Sequence, residues 1–167
     1  MIQPSTAIRA ARPEDVPQVF AMLQELAAFE KLEHQLTANQ DDMYQALFVQ
    51  NSAKALVAQS SSDSNATNEL VGYAIYFENF STFLCRRGIY LEDVYVRSAY
   101  RNRGIGKAFL SHLARIAVDR SCGRMEWSVL DWNKNAIDVY ESIGAEILPD
   151  WRIVRMDANA ISKLALQ

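Results

Sequence analysis

Cysteine and histidine are scarce: two of each in 167 residues, Cys85 and Cys122, His34 and His112. Two cysteines cannot supply a disulfide framework, and neither stands in the C-x-x-C spacing of a metal or redox site. Two histidines cannot build a metal centre on their own, so no metal is expected. Long apolar runs are missing too. The longest, around Leu70–Phe77, falls far short of the ~20 residues a membrane helix needs. The N-terminus lacks a basic region followed by an apolar stretch, so no secretion signal is read and a cytoplasmic protein is expected. Asn65-Ala-Thr67 is formally a glycosylation acceptor, which means nothing without secretion. Net basic charge is absent: the chain carries −3. That argues against a nucleic-acid binder, which usually shows an overall basic footprint.

What is present fits a folded domain. Half the residues are hydrophobic and 22% are charged, which excludes a disordered chain. The length suits one domain, 1–167, with a core of its own. Charge is unevenly spread. Glu14, Asp15, Glu25, Glu30, Glu33, Asp41 and Asp42 face only Lys31 over the first stretch. Arg97, Arg101, Arg103, Lys107, Arg115, Arg120 and Arg124 face only Asp119 later on. The first region suits a cationic ligand and the second an anionic one, although most such charges serve as solvated helix faces.

Element signals follow in order. Ile8–Arg12 reads as a strand. Pro13 with Glu14 and Asp15 opens a helix whose apolar spacing from Val16 to Ala27 carries it to about Leu32. Thr37 with Gln40 resembles a capping box before a second helix. Ala55–Ala58 and Leu70–Phe77 read as strands of a hairpin joined by the polar loop Ser60–Asn68. Glu78–Gly88 reads as irregular. Ile89–Val96 is a strand, and the stripe Ile105, Ala108, Phe109, His112, Leu113, Ile116 and Ala117 marks a helix. Arg124–Leu130 reads as a strand, and Asn133–Ser142 as a helix stopped by Gly144. Ala145–Leu148 and Trp151–Met156 read as closing strands, and the tail from Asn159 as a short helix. The order predicts a mixed α/β or α+β domain.

The densest stretch runs from Tyr90-Leu-Glu-Asp-Val-Tyr-Val96 to Arg101-Asn-Arg-Gly-Ile-Gly-Lys107. A strand feeding a helix leaves the first helical N–H groups unpaired and partly positive. Gly104 and Gly106 let the backbone approach an anion, and Arg101, Arg103 and Lys107 add charge. A dinucleotide fingerprint needs a small residue where Phe109 stands, and a P-loop needs glycine at Arg101 and Ser or Thr at Ala108. Both are excluded. An ordinary glycine turn weighs about as much as a phosphate cradle on these residues alone. On the strand, Glu92 and Asp93 interrupt an apolar run. Adjacent strand residues point to opposite faces. Glu92 should therefore lie with Tyr90, Val94 and Val96, and Asp93 with Leu91 and Tyr95, so the two cannot work as a pair.

The motif Arg101-Asn-Arg-Gly104-Ile-Gly106 after such a strand resembles the acetyl-CoA motif of the GNAT superfamily of N-acetyltransferases. The resemblance covers almost the whole chain. Glu25-Leu-Ala-Ala-Phe-Glu30, Tyr90-Leu-Glu-Asp93, Trp132-Asn133, Tyr140, Gly144-Ala145 and Trp151-Arg152 are similar to the diamine (spermidine/spermine) and thialysine acetyltransferase branch. It implies the acyl-CoA N-acyltransferase fold, a central twisted, mostly antiparallel sheet flanked by helices. It implies acetyl-CoA as co-substrate, a small-molecule amine as acceptor, and a homodimer.

Roles carried over by the resemblance fall in three groups. Glu92 deprotonates the amine, directly or through water, since an alkyl ammonium titrates near ~10.4. Tyr140 protonates the departing thiolate. Val94, Tyr95, Val96, Arg101, Asn102, Arg103, Gly104, Ile105, Gly106, Lys107, Asn133, Lys134, Asn135, Ala136 and Tyr140 hold the coenzyme, with a main-chain amide near Val94 or Tyr95 facing the thioester oxygen. Phe29, Glu30, Glu92, Glu126, Trp127, Ser128 and Asp150 surround the amine. Phe29 stands where polyamine members often have tyrosine, and the segment before Trp151 is shorter than theirs. The expected reaction is direct acetyl transfer in a ternary complex to a di- or polyamine or a thialysine-like amino acid. Acetylation of a protein N-terminus or lysine, and a catalytically silent CoA-binding module, are the alternatives.

Overall fold

The computed structural model describes residues 6–60 and 69–167. The expected loop at Ser60–Asn68, beyond Ser60 itself, lies outside the described residues, as does the acceptor at Asn65. The chain divides into two compact units, Met1–Ser128 and Val129–Gln167.

The first unit is built on a sheet of five strands in chain order: β1 Thr6–Ala10, β2 Lys54–Ser60, β3 Leu70–Ser81, β4 Arg86–Val96 and β5 Met125–Trp127. The first four pair antiparallel, and β5 runs parallel to β4. The sheet is thus mixed and mostly antiparallel. Residues Leu56, Val57, Ala58, Leu70, Val71, Tyr73 and Ala74 are all buried. Consecutive buried residues mark central strands covered on both faces, which is why β2 and β3 read as continuous apolar runs.

Helix α1, Val16–Glu30, lays Val16, Val19, Phe20, Met22 and Leu26 against Val57, Tyr73 and Tyr95 of the sheet. Its entry is fixed by Asp15, which accepts from Arg9 Nη1 at 2.6 Å and from the Arg12 amide at 2.7 Å. The helix ends at Glu30, short of Leu32, because Lys31 takes a left-handed conformation with φ 60°. Helix α2, Gln40–Tyr44, is capped by Asn39 with Asp42, not by Thr37 with Gln40. Asn39 Oδ1 accepts from the Asp41 amide at 2.8 Å, and Asp42 returns a bond to the Asn39 amide at 2.9 Å. Asparagine is the stronger cap, which decides the register of that helix.

Glu78–Gly88 is not irregular. Strand β3 runs on to Ser81 and β4 starts at Arg86, with a tight turn between them. Polar residues extend the ladder here because they pair across it: Arg87 meets Glu78 at 3.3 Å. Helix α3, Ile105–Asp119, buries Ile105, Phe109, Leu110, Leu113 and Ala117, while Ala108 of the expected stripe is exposed. Strand β5 stops at Trp127 and does not reach Leu130.

The second unit holds α4, Lys134–Ser142, and α5, Ala158–Leu164. Asn133 caps α4, and Gly144 at φ 88° ends its last turn as expected. Ala145–Leu148 and Trp151–Met156 are not strands among the described residues. An apolar pattern marks residues able to bury, but a strand forms only where a neighbour takes its backbone hydrogen bonds.

Candidate active site

Strand β4 carries an irregularity at its centre. Ile75 pairs with Asp93 and Tyr76 with Leu91, so Glu92 has no opposite number on β3. This is a β-bulge, one extra residue in one strand. Paired residues share a face, and Ile75 and Tyr76 are neighbours on opposite faces. Leu91 and Asp93 therefore lie on opposite faces, contrary to the expectation from simple alternation. Asp93 joins Tyr73, Ile75 and Tyr95 on the side of α1, where Tyr73, Tyr95 and Ile75 belong to the core cluster. Glu92 and Asp93 are not insulated from each other either. Asp93 is pushed up to about 6, first by burial, then by the charges of Glu92 and Glu30. A readable signal for Asp93 existed, a carboxylate in an apolar strand, but the alternation argument assigned it away from Glu92.

Beyond the bulge β4 loses its other neighbour. Strand β5 pairs only with Ile89, Tyr90 and Leu91. Main-chain direction alternates along a strand, and the Arg97 amide bonds the Val71 carbonyl of β3 at 2.9 Å. Tyr95 must then turn its backbone to β3 as well, leaving the N–H and C=O of Val94 and Val96 at the open edge. The Val96 carbonyl accepts from Arg101 Nε at 2.9 Å. The Tyr95 hydroxyl donates to Glu25 on α1 at 3.1 Å.

The glycine turn follows. Gly104 caps α3 at φ 78°, after Asn102 at φ 61°. No side chain caps this helix, so its first amides are left for another acceptor. A Cβ at Gly104 or Gly106 would meet nothing within 4 Å. Gly104 is explained by its positive φ. Gly106 has no such need, and the space over it is open, which leaves the uncapped helix start accessible to an anion. Asn102, Arg103 and Lys107 are exposed around the turn, and Ile105 is buried beneath it. Arg103 donates to the Ala99 carbonyl at 3.0 Å. Arg101 turns inward, its guanidinium 4.8 Å from the Phe29 ring centre and 5.4 Å from that of Tyr95.

On the α1 side, Phe29 is partly exposed and Glu30 sits at the helix end, its carboxyl raised by burial. Glu92 is exposed. Ser128 Oγ lies 3.0 Å from the Tyr90 hydroxyl, and Trp127 is half-buried on β5. Glu126 is already engaged: Arg124 Nε reaches it at 2.7 Å and Asn79 donates to it at 2.8 Å. In the second unit, Tyr140 is buried on α4, and Asn133 accepts from the Ala136 amide at 3.4 Å. Lys134 pairs with Asp138 at 3.2 Å, Asn135 is exposed, and Asp150 lies in an exposed turn.

A bulged strand with one open edge, running into a glycine turn and a helix start without a cap, suits an extended ligand that ends in an anionic group. Residues 20–145 match the model of the acetyltransferase (GNAT) family. The chain belongs to the GNAT family. This GNAT acetyltransferase is 35% identical over 170 residues to a thialysine N-epsilon-acetyltransferase of Mus musculus, covering 96% of this chain and 98% of that protein. It is 30% identical over 197 residues to an L-ornithine N5-acetyltransferase of Arabidopsis thaliana, covering 94% of this chain and 86% of that protein. Among solved structures, it superposes with TM-score 0.77 on an integron cassette protein of V. cholerae, 25% identical, covering 99% of this chain and 100% of that one. The chain is an acetyl-CoA-dependent amine N-acetyltransferase with a mixed α/β GNAT fold. Among its described residues no helix is long and apolar enough to cross a membrane.

Proposed function

We propose that this GNAT enzyme acetylates a primary amine of a small di- or polyamine or of a thialysine-like amino acid, by direct attack in a ternary complex. The observation that carries the reading is the bulge at Glu92, which sets a partly buried acidic group beside the open edge of β4. A cationic acceptor is drawn to Glu92, Asp93 and Glu30, and Phe29 offers an aromatic wall. Glu92 accepts the ammonium proton, directly or through water, so that the free amine attacks. The Val94 amide holds the oxygen that becomes negative at the thioester carbon. Tyr140 donates a proton to the departing thiolate: a phenol near ~10 can protonate a thiolate near ~8.5 as it forms. Val96, Asn102, Gly104, Ile105, Gly106 and Lys107 hold the coenzyme, with Asn133, Lys134, Asn135 and Ala136 adding contacts. Glu126 and Arg101 act by bracing their surroundings, given the bonds they already make. The exposed apolar side chains of the second unit, Trp151, Ile153 and Val154, suit cover by a second copy in a homodimer.

The test is release of free CoA from acetyl-CoA across a panel of diamines, polyamines, lysine analogues and peptides. Small diamines or thialysine should be the best acceptors. A preference for peptides would favour protein acetylation, and silence across the panel would leave a CoA-binding module. In Tyr140→Phe, turnover should fall at least about tenfold with acetyl-CoA affinity within about twofold; unchanged turnover removes the acid role.

A further inference from the structure

The far end of the sheet holds a cavity of about 810 Å³ whose lining includes Glu78, Phe80, Arg86, Arg87, Arg120 and Ser121. Even-numbered residues of β3 face α3, because a Cβ at Gly72 would meet the Phe109 ring at 3.1 Å. Glu78 and Phe80 lie on that face by alternation, and Arg87 joins them as the partner of Phe80. Asp93 lies on the other face. Arg120 and Ser121 come from the end of α3, about 22 Å along its axis from the glycine turn. Charge in this cavity is one-sided. Glu78 takes both Arg120 and Arg87, the latter at 3.3 Å. The Arg86 side chain makes no ion pair or hydrogen bond among the described residues. Three guanidiniums therefore stand against one carboxylate, an excess of two positive charges. The side chains of Arg120 and Glu78 are 31% and 33% exposed, so solvent screens that excess incompletely. Each guanidinium carries five N–H donors, and Glu78 occupies few of them. The negative end of α3 does not cancel the excess. The carbonyls of Ile116, Ala117 and Val118 already accept from the amides of Arg120, Cys122 and Ser121, and Asp119 does not line the cavity.

We propose that this cavity binds a phosphate monoester, at a site separate from both the coenzyme turn and the acceptor amine. A phosphate monoester carries a charge of about −1.5 to −2 near neutral pH and offers three strong acceptor oxygens. It matches the excess of positive charge, and guanidinium forks pair with phosphate oxygens two at a time. Cations are repelled here, and a neutral ligand would leave the donors without a charged partner. A single carboxylate brings one charge and leaves half of the excess unmatched. Phe80 is 61% exposed and pairs with Arg87 across the ladder. Its ring gives the organic part of the ester an apolar wall, which favours an aromatic ester over inorganic phosphate. The volume lies within the roughly 300–1,000 Å³ usual for small-molecule sites.

The experiment is calorimetric titration of phenyl phosphate into the full chain at about pH 7.5, with the coenzyme site saturated with CoA so that its own phosphate contacts are occupied. Phenyl phosphate should bind with Kd below about 1 mM, at least about fivefold more tightly than phenyl sulfate, its singly charged analogue. Arg86→Ala should weaken it at least about fivefold and leave the melting temperature unchanged, since that side chain has no protein partner. Phe80→Ala should bring phenyl phosphate down to the affinity of inorganic phosphate and leave inorganic phosphate unaffected. Phosphatidylcholine vesicles with and without phosphatidic acid separate two sources of the same group. Retention on phosphatidic acid that Arg86→Ala abolishes assigns the phosphate to a lipid headgroup, and binding of phenyl phosphate without such retention assigns it to a soluble ester. No binding up to about 10 mM, equal affinity for phenyl sulfate, or an unchanged Kd in Arg86→Ala overturns the site.

Discussion

Asp15 is buried and Asp93 half-buried beside α1, and their surroundings drive them in opposite directions. Burial opposes ionisation of Asp15 more than any other single influence. Hydrogen bonds from Arg9 and the Arg12 amide, with the charges of both arginines, together outweigh it and hold the carboxyl below its ordinary range. Asp93 lacks such partners, and burial with two like charges raises it to about 6. The signs follow from linkage. Asp15 contributes stability that is present above the unfolded carboxyl value near ~3.9 and is lost as pH falls through its folded value. Asp93 contributes stability that is present below ~3.9 and is lost as pH rises through about 6. Asp93→Asn should therefore raise stability near pH 7.5 by about 1–3 kcal/mol and change it little below pH 4, as read by chemical denaturation. A pH-independent gap in stability between the two proteins would remove Asp93 from this account.

At the scale of elements, the start of α3 and the centre of β4 do different work. The turn owes Gly104 to its positive φ, whereas no protein atom requires glycine at 106. Gly106→Val should fold with stability within about 1 kcal/mol of wild type, because no protein atom lies in the way and valine is no worse a helix former than glycine. Its affinity for acetyl-CoA should drop at least about tenfold, measured by calorimetry. Retained affinity would mean that the coenzyme does not approach this part of the helix. The glycine pattern and the strand before it were legible in the sequence, since both are local. The bulge was not. A residue added to β4 becomes visible only against β3, and it reverses the facing of everything beyond it. That single slip changed the reading of Asp93 from a neighbour of Leu91 to a member of the acidic group under α1.

For the molecule as a whole, the second unit leaves Trp151 75%, Ile153 72% and Val154 90% exposed. Apolar residues in such a row mark a contact surface more often than a free one. Sedimentation at micromolar concentration should give twice the mass of the chain, and Trp151→Glu should shift it toward the single-chain mass. A wild-type monomer would discard the dimer. The same stretch shows where reading from sequence stopped. Residues 145–156 carry a strand-like pattern and form no strand, because pattern records what a segment can bury, whereas pairing depends on a partner that the pattern does not name. By itself the sequence determined the mixed α/β class, the α1 stripe and most of the α3 stripe, the caps at Asn133 and Gly144, and the glycine turn after β4. These depend on periodicity, on φ and on contacts a few residues apart. Only the tertiary structure decided that Asp93 faces α1, that Glu126 is bound by Arg124, and that Tyr73 buries a hydroxyl without a partner. Each of those rests on residues brought together from distant strands, where register and burial, not local preference, set the chemistry.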